Sequence, residues 1–452
     1  MPDEDESKLN CIKCSINNCL ECKGTKIANY CYKCQNDYSP IYEESNNTII
    51  KVCNLIDPLL IEQQCLTFKE DGISCSSCNP FYSLKNGKCE PDYNIRAVYK
   101  PDDEKKDIKL TDVPSSLKAK ILQNGKIEEI NIDSKYYFFK TVKEITVYYY
   151  LKTINSFFFY FTDCQNLISI YTPPNAFNKI PIVSFDRAFE NCYNLTSVNF
   201  SNIKNSLHID NINYMFKNCY SLKSIDLSRV DFQYVSYANR MFDGCISLTS
   251  INISNFQDLT SMNYMFSNCY KLKYINFTNF NTKRVQSMKY LFLNCYSLTS
   301  IDISIFDFNR SGGISLQGLF KNCISLISFD FSNILKNHIT SINEFFSNCI
   351  KVNLNYFSTR YVINMDRMFY NCYSLTSLDF SSLDTSLVTN MSELFSNCTS
   401  LSYIKLFSSK TSKLVYMDYM FYNCSSLKSI DLSKLDTSKV EKWDIYLMDV
   451  LL

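Results

Sequence analysis

The chain has 452 residues with 46 basic against 45 acidic side chains, so its net charge of +1 offers no field to steer it to nucleic acid or an acidic membrane. Apolar residues make up 46%, enough for a large core, and eight glycines leave little room for Gly-rich phosphate loops, of which none is visible. No run of 18 or more apolar residues offers a membrane span.

Residues 1–10, MPDEDESKLN, form an acidic tail without the apolar stretch of a signal peptide. Residues 11–91 are a cysteine-rich module. Cys11, Cys14, Cys19, Cys22, Cys31 and Cys34 make three CxxC pairs, followed by Cys53, Cys65, Cys75, Cys78 and Cys89. This density with few aliphatics is what a small disulfide-stapled extracellular unit uses in place of a core. Tandem CxxC pairs also have zinc-ligand spacing, but His208 and His338 are the only histidines and lie far away, so zinc would need all-cysteine sites. The stretch CSSCNPFYSLKNGKC, Cys75 to Cys89, resembles the end of growth-factor-receptor or furin-type cysteine-rich repeats. That resemblance implies disulfides and a surface protein, and we expect no bound metal.

Between residues 92 and 151 the cysteines stop. Ile95–Tyr99, Ile127–Ile132, Tyr136–Phe139 and Ile145–Leu151 read as strands by their β-branched and aromatic content. A repeat array exposes an apolar cross-section at its end, and this segment is expected to cover it as an N-terminal cap, with the charged PDDEKKD stretch at its surface.

Residues 152–452 repeat. The marker cysteines are Cys164, Cys192, Cys219, Cys245, Cys269, Cys295, Cys323, Cys349, Cys372, Cys398 and Cys424, a mean step of (424 − 164)/10 = 26 residues. Such a period, with one short aliphatic run per copy, marks units that bury their apolar face only by stacking. Apolar residues at seven, four and three before the cysteine, as in Met262, Met265 and Phe266, have the spacing of one face of a two-turn helix. Ser or Asn eight before the cysteine, as in Ser261 and Asn390, suits its N-cap. Asn directly before the cysteine, as in Asn294, suits a left-handed C-terminal stop. After the cysteine comes LxxIxL, such as Leu298, Ile301 and Ile303, with strand alternation. Each copy therefore reads helix, turn, strand. The expected fold is an α/β solenoid of leucine-rich-repeat type, with one continuous parallel sheet and short helices. A degenerate last copy keeps Val440, Trp443, Tyr446, Leu447 and Val450 but lacks the Asn-Cys pair, as a C-terminal cap or a truncated array would.

The pattern MxxMFxxCxSLxxIdLS, from residue 154 to 450, resembles the BspA-like leucine-rich repeats, especially the subtype of mycoplasma lipoproteins and protist surface proteins. The resemblance implies a surface-exposed adhesion or recognition protein and names no ligand.

Chemistry is sparse. The repeat cysteines are expected to pack as small buried hydrophobes, since a row of nucleophiles has no catalytic logic. Neither histidine has catalytic spacing to a thiol or carboxylate, and no hydrolase or metalloprotease motif stands out, so we expect no enzyme and no cofactor. The outward positions between the inward aliphatics carry Asp226, Asn252, Asn276, Asp302, Asp330, Asp379, Lys405 and Asp431, flanked mostly by Ser, with Tyr274 and Tyr403 interrupting the Ser column. Stacked, they predict a polar stripe for a protein or glycan ligand, Tyr being enriched at binding hot spots. Solvation of a half-buried sheet accounts for the same residues. Sequons at Asn46, Asn194, Asn199, Asn252, Asn276, Asn309 and Asn390 fit export, although three, Asn199 at the same strand position together with Asn252 and Asn276, lie on that stripe. The leading expectation is a cell-surface or secreted recognition protein. The alternative is an intracellular leucine-rich-repeat scaffold with a zinc-bound N-terminal module.

Overall fold

The structure is a computed structural model that describes residues 19–25, 28–34, 38–45, 48–55, 65–68, 75–78, 81–85, 88–101, 107–111, 117–123, 126–132, 136–138, 144–150, 161–173, 184–200, 209–228, 230–302, 306, 313–330, 338–350, 359–406, 411–433 and 435–441. The acidic tail, Cys11, Cys14, residues 102–106 of the PDDEKKD stretch, His208, the sequons at Asn46 and Asn309, and Trp443 to Val450 of the degenerate copy lie outside the described residues. The chain divides into two compact units, Met1–Asn94 and Ile95–Leu452.

The first unit is a series of antiparallel hairpins. They are β1 (Cys19–Thr25) with β2 (Ala28–Cys34), β3 (Tyr38–Ser45) with β4 (Thr48–Leu55), β5 (Cys65–Phe68) with β6 (Cys75–Cys78), and β7 (Tyr82–Lys85) with β8 (Lys88–Pro91). Cys19 faces Cys34 and Cys22 faces Cys31 across the first hairpin, and Cys65 faces Cys78 across the third. Cys78 and Cys89 form a disulfide. The side-chain pairing of the other module cysteines lies outside the described residues.

The second unit opens with β9 (Ile95–Tyr99), β10 (Asp107–Lys109), β11 (Leu117–Gln123), β12 (Lys126–Ile132), β13 (Tyr136–Phe138) and β14 (Ile145–Tyr150). Four of the six coincide with the strands expected from composition; β10 and the Lys-rich β11 were not. The first coil of the array adds β15 (Leu167–Tyr171) and the second β16 (Ser197–Asn199), completing a sheet in the order β12-β11-β14-β9-β15-β16. Within it β9 pairs antiparallel with β15, so the edge of the first coil is covered by hydrogen-bonded backbone and not by a repeat. Tyr99 and Tyr149, fully buried, share a hydrogen bond of 2.8 Å between their hydroxyls, and the Tyr99 hydroxyl donates to the Leu110 carbonyl at 2.5 Å.

The array is a solenoid, and its interior is a column of rings. Phe161, Phe189, Phe216, Phe242, Phe266, Phe292, Phe320, Phe346, Phe369, Phe395 and Phe421 stack coil upon coil, with centroids 5.4 to 6.1 Å apart and planes within 16° of parallel. All are buried, together with the Met and Leu residues of the repeat. Beside this column each repeat cysteine from Cys192 to Cys424 donates its thiol proton to the carbonyl of the Phe one coil back, as Cys295 does to Phe266 at 3.1 Å and Cys398 to Phe369 at 3.1 Å. All eleven repeat cysteines are buried and free of disulfides.

Two expectations about the coil are corrected. Among the described residues the segment before the cysteine is not a helix. Its backbone alternates: Ala188, Glu190 and Cys192 donate three residues back, to Phe185, Arg187 and Phe189, while Arg187, Phe189 and Asn191 donate to Asn213, Met215 and Lys217 of the next coil. Left-handed residues recur five and one before the cysteine, such as Tyr290 (φ 55°) and Asn294 (φ 61°), and a reversal every fourth residue cannot continue an α-helix. The arc turns its apolar residues inward at the same three- and four-residue intervals as a helix, so the pattern alone does not tell them apart. The Ser or Asn eight before the cysteine does cap, but it caps a turn: Asn211 and Asn390 accept from the N–H two residues on, both at 2.9 Å.

The second correction concerns the sheet. Among the described residues the LxxIxL strands form separate patches: β17 (Ser250–Phe256) with β18 (Tyr274–Phe280), β19 (Ser300–Asp302) with β21 (Ser328–Asp330), and β23 (Ser377–Asp379) with β24 (Tyr403–Lys405). The uninterrupted ladder lies on the other side of the coil. It runs in parallel register through Ser184, Asn211, Tyr237, Ser261, Ser287, Ser315, Ser341, Asn364, Asn390 and Tyr416, and it includes the short strands β20 (Ile314–Ser315) and β22 (Ile339–Ser341).

Candidate functional site

The outward row of the LxxIxL strands is where the sequence places a ligand. Alternation with the buried Ile or Leu leaves Asp226, Asn252, Asn276, Asp302, Asp379, Lys405 and Asp431 exposed. The backbone of Asp330 continues the row beside Asp302. Tyr274 and Tyr403 are the most open of the tyrosines among the described residues, at 56% and 61% exposure. The sheet patches bring these residues into fixed quartets. Ser250 pairs with Tyr274 and Asn252 with Asn276 on β17 and β18; Ser377 pairs with Tyr403 and Asp379 with Lys405 on β23 and β24. Lys405 reaches the Asp379 carboxylate at 3.4 Å.

Several of the aspartates have a local task as well. Asp226, Asp379 and Asp431 each accept, at 2.9 Å, the N–H of the serine two residues on, and Asp379 also accepts the Ser381 hydroxyl at 2.5 Å. These bonds close the turn that ends the strand. The Ser381 hydroxyl and N–H, with Lys405 beside them, hold the Asp379 carboxyl below the usual carboxylate range. A shallow dent of about 530 Å³ lies at Ser429, Ile430, Asp431, Leu432 and Ser433.

Two further faces were not foreseen. On the arcs, the left-handed position five before the cysteine carries Arg, Tyr or Glu, residues that pay strain there. Their compensation is contact along the axis. The Arg187 guanidinium lies 4.2 Å from the Tyr214 ring centre, that of Arg240 lies 4.1 Å from Tyr264, and Tyr264 stacks on Tyr290 at 5.0 Å. Arg187 and Lys217 both pair with Glu190, at 2.5 and 2.9 Å, and Arg240 pairs with Asp243 at 2.7 Å. Gly318 stands at the same position, where a Cβ would come within 2.3 Å of the Tyr290 ring. The Tyr290 hydroxyl then meets Glu344 at 3.2 Å, two coils on. No periodic signal announces this row, because charge, ring and glycine alternate in it.

The second face is the Asn ladder. Asn218 donates to Asn191 at 2.8 Å, Asn294 to Asn268 at 2.7 Å and Asn348 to Asn322 at 2.6 Å. Where Gly244 interrupts, Asn268 donates to Asp243 instead, at 2.8 Å. The ladder starts at Asp163, which accepts from Asn191 at 2.7 Å and faces the nearly buried Lys109 ammonium at 3.7 Å. Burial drives the neighbouring thiols up: Cys349 and Cys424 to about 12, Cys219, Cys269 and Cys323 well above their ordinary value. A thiol so held is protonated and unreactive at neutral pH. Among the described residues no group of three or more His, Cys, Asp or Glu is placed to hold a metal ion.

Residues 115–228 and 185–311 match the family described as "BspA type Leucine rich repeat region (6 copies)", and residues 340–449 match "Mycoplasma protein of unknown function, DUF285". No curated protein matches the chain. Among solved structures, the chain is similar to a leucine-rich cell-surface protein of Faecalibacterium prausnitzii, at 18% identity over 53% of this chain and 84% of that one, with a TM-score of 0.24. It is similar to a chain of the Toll–Spatzle complex of Drosophila, at 16% identity over 60% of this chain and 34% of that one, with a TM-score of 0.26. A leucine-rich-repeat protein of Leptospira interrogans matches at 9% identity over 64% of this chain and 96% of that one, with a TM-score of 0.15. The solenoid is of the leucine-rich-repeat type.

Proposed function

We propose that a solenoid of this type, with this outward row, is a non-enzymatic recognition or adhesion protein of the cell surface or extracellular space, holding a protein or glycan along its LxxIxL strands. The observation that carries the reading is the pair of in-register quartets, each with one tyrosine more than half exposed beside fixed amide, hydroxyl or carboxylate groups. An exposed aromatic anchor ringed by short polar groups is the composition of a binding hot spot. A net charge of +1 favours neither nucleic acid nor an acidic membrane. The Cys78–Cys89 disulfide supports an oxidising compartment over an intracellular, zinc-loaded scaffold.

The test compares the wild-type chain with Asp302→Lys/Asp330→Lys on an array of immobilised glycans and extracellular-matrix proteins. These two positions are register partners, so the double change reverses charge at one place on the row. Asp302→Asn/Asp330→Asn, which keeps an acceptor oxygen at each position, controls for folding. Loss of binding in the lysine variant at an unchanged melting temperature supports the reading. Wild-type binding by the lysine variant removes the row from consideration as the site.

A further inference from the structure

We propose that the turn face of the second to seventh coils, formed by the residues directly after each cysteine, is a docking surface for an extended acidic peptide segment that also carries apolar side chains; it is separate from the LxxIxL row and does not depend on the reading given for that row. The overall balance of charge hides a local bias here. In the five residues that follow the repeat cysteine, from 165–169 to 425–429, no copy has a carboxylate, and every charge that occurs is a lysine.

The position one after the cysteine forms an apolar spine. It reads Tyr193, Tyr220, Ile246, Tyr270, Tyr296 and Ile324 in six successive coils, each described at this position. Tyr193 stacks on Tyr220 at 4.8 Å, and Tyr270 on Tyr296 at 5.0 Å. Stacking fixes the rings and still leaves Tyr220, Tyr270 and Tyr296 more than a third exposed, as is Ile324, while Ile327 beside it is 59% exposed.

Lysines flank this spine. Lys223 and Lys273 stand four after their cysteines in one backbone-bonded row, with Thr249 between them: the Thr249 N–H donates to the Lys223 carbonyl at 3.1 Å and the Lys273 N–H to the Thr249 carbonyl at 2.9 Å. Lys271 adds a third ammonium two residues before Lys273. All three are exposed, and none has a carboxylate partner among the described residues. On the arc side of the spine the acids Glu190 and Asp243 are buried and paired, with Arg187 and Lys217 and with Arg240. On the strand side the first acid is Asp226, which accepts the Ser228 N–H.

This composition decides the class of partner. Ammonium groups without partners on a surface without carboxylates complement an acidic partner. A polysulfated sugar would satisfy the lysines and set hydroxyl groups against Ile246, Ile324 and Ile327, whereas apolar peptide side chains cover them. Five steps of about 4.8 Å make the spine roughly 24 Å long, the span of about seven residues of extended chain.

The experiment is fluorescence anisotropy of the full chain with three labelled octapeptides: Glu-Glu-Leu-Leu repeats, which show both residue types on each side of an extended strand, the same with Lys for Glu, and the same with Ser for Leu. The expected result is that the glutamate-leucine peptide alone binds, with an affinity that falls as salt rises from about 50 to about 300 mM. Lys223→Glu/Lys273→Glu and Tyr220→Ser/Tyr270→Ser, each checked for an unchanged melting temperature, weaken it about tenfold or more, and Asp302→Lys/Asp330→Lys leaves it unchanged. The peptide series and its salt dependence need no variant, so they decide even where a variant unfolds. Equal binding of the lysine peptide, or binding indifferent to salt, overturns the acidic class; equal binding of the serine peptide overturns the spine. Dextran sulfate that binds more tightly than the glutamate-leucine peptide and ignores the tyrosine variant makes the partner a polyanionic sugar and overturns the peptide class. Binding altered by Asp302→Lys/Asp330→Lys moves the peptide to the strand row and overturns the turn face. No binding by any of the three peptides overturns the proposal and leaves the LxxIxL reading untouched.

Discussion

Truncating Phe292 to alanine probes the architecture at its centre. The ring is fully buried, with Phe266 at 5.8 Å on one side and Phe320 at 5.5 Å on the other, both within 9° of parallel. Removing a buried phenylalanine costs about 3–5 kcal/mol. Each aromatic contact contributes about 0.5–1.5 kcal/mol beyond its area, and two are lost, which puts Phe292→Ala near the upper end of that range. Phe421, 4% exposed, has one stacked partner among the described residues, Phe395, and Phe421→Ala belongs near the lower end. Equilibrium urea unfolding followed by circular dichroism reads the difference. With an m-value of about 3 kcal/mol/M, a 4 kcal/mol loss lowers the midpoint by about 1.3 M. Because stability in a solenoid is a sum over coils and their interfaces, a central truncation weakens two interfaces and a terminal one fewer. An unmoved midpoint for Phe292→Ala, or equal shifts for the two variants, would refute the column as the source of cohesion.

Alkaline pH should unfold the chain through its thiols. Cys349 and Cys424 rise from an ordinary 9.0 to about 12, so the folded state holds these protons more tightly than the unfolded one; stability is then full below pH 9 and falls as pH climbs through 12. A melting temperature constant from pH 8 to 11 would contradict this, as would rapid labelling of repeat cysteines by a thiol reagent at pH 7.5. Gly318→Ala should cost about 1–3 kcal/mol through its clash with Tyr290 and its left-handed backbone, and only the clash share should vanish in a Tyr290→Ala background; additive effects in that cycle would show the contact to be irrelevant. Asn294→Ala should lose about 2–4 kcal/mol, from two side-chain hydrogen bonds and a left-handed backbone, while Asn294→Gly recovers the backbone share. Chemical denaturation of the pair checks this, and equal losses would assign the whole effect to the side chain.

The parts of the fold legible in the sequence were those that repeat in one residue type. Phe at three before the cysteine and the LxxIxL aliphatics announce burial because burial demands the same side chain in every coil. The arc was misread because inward apolar residues at intervals of three and four fit a helix as well as a turn that reverses at every fourth residue. Only the identity of those reversing residues separates the two, and at Tyr290, Glu344 or Arg367 nothing in the side chain declares a left-handed backbone. The outward positions of Asp226, Asp379 and Asp431 were foreseen from strand alternation; their bonds to Ser228, Ser381 and Ser433 were not, although Asp-x-Ser in these copies carries the signal of a side-chain-closed turn. Lys109 was invisible, since its partner Asp163 lies 54 residues away and only the fold brings them together.

That partnership gives the array a direction of growth. Asn191, Asn268, Asn294 and Asn322 each both give and receive, so a coil duplicated beside one of them hands its amide proton to the one ahead and takes one from the one behind. Asp163 has no proton to give, and what stands ahead of it is an ammonium. A coil inserted there would put an amide donor where a cation already sits, so lengthening of such a chain is expected on the far side of Asp163, and the residue that opens the row works as a chemical full stop.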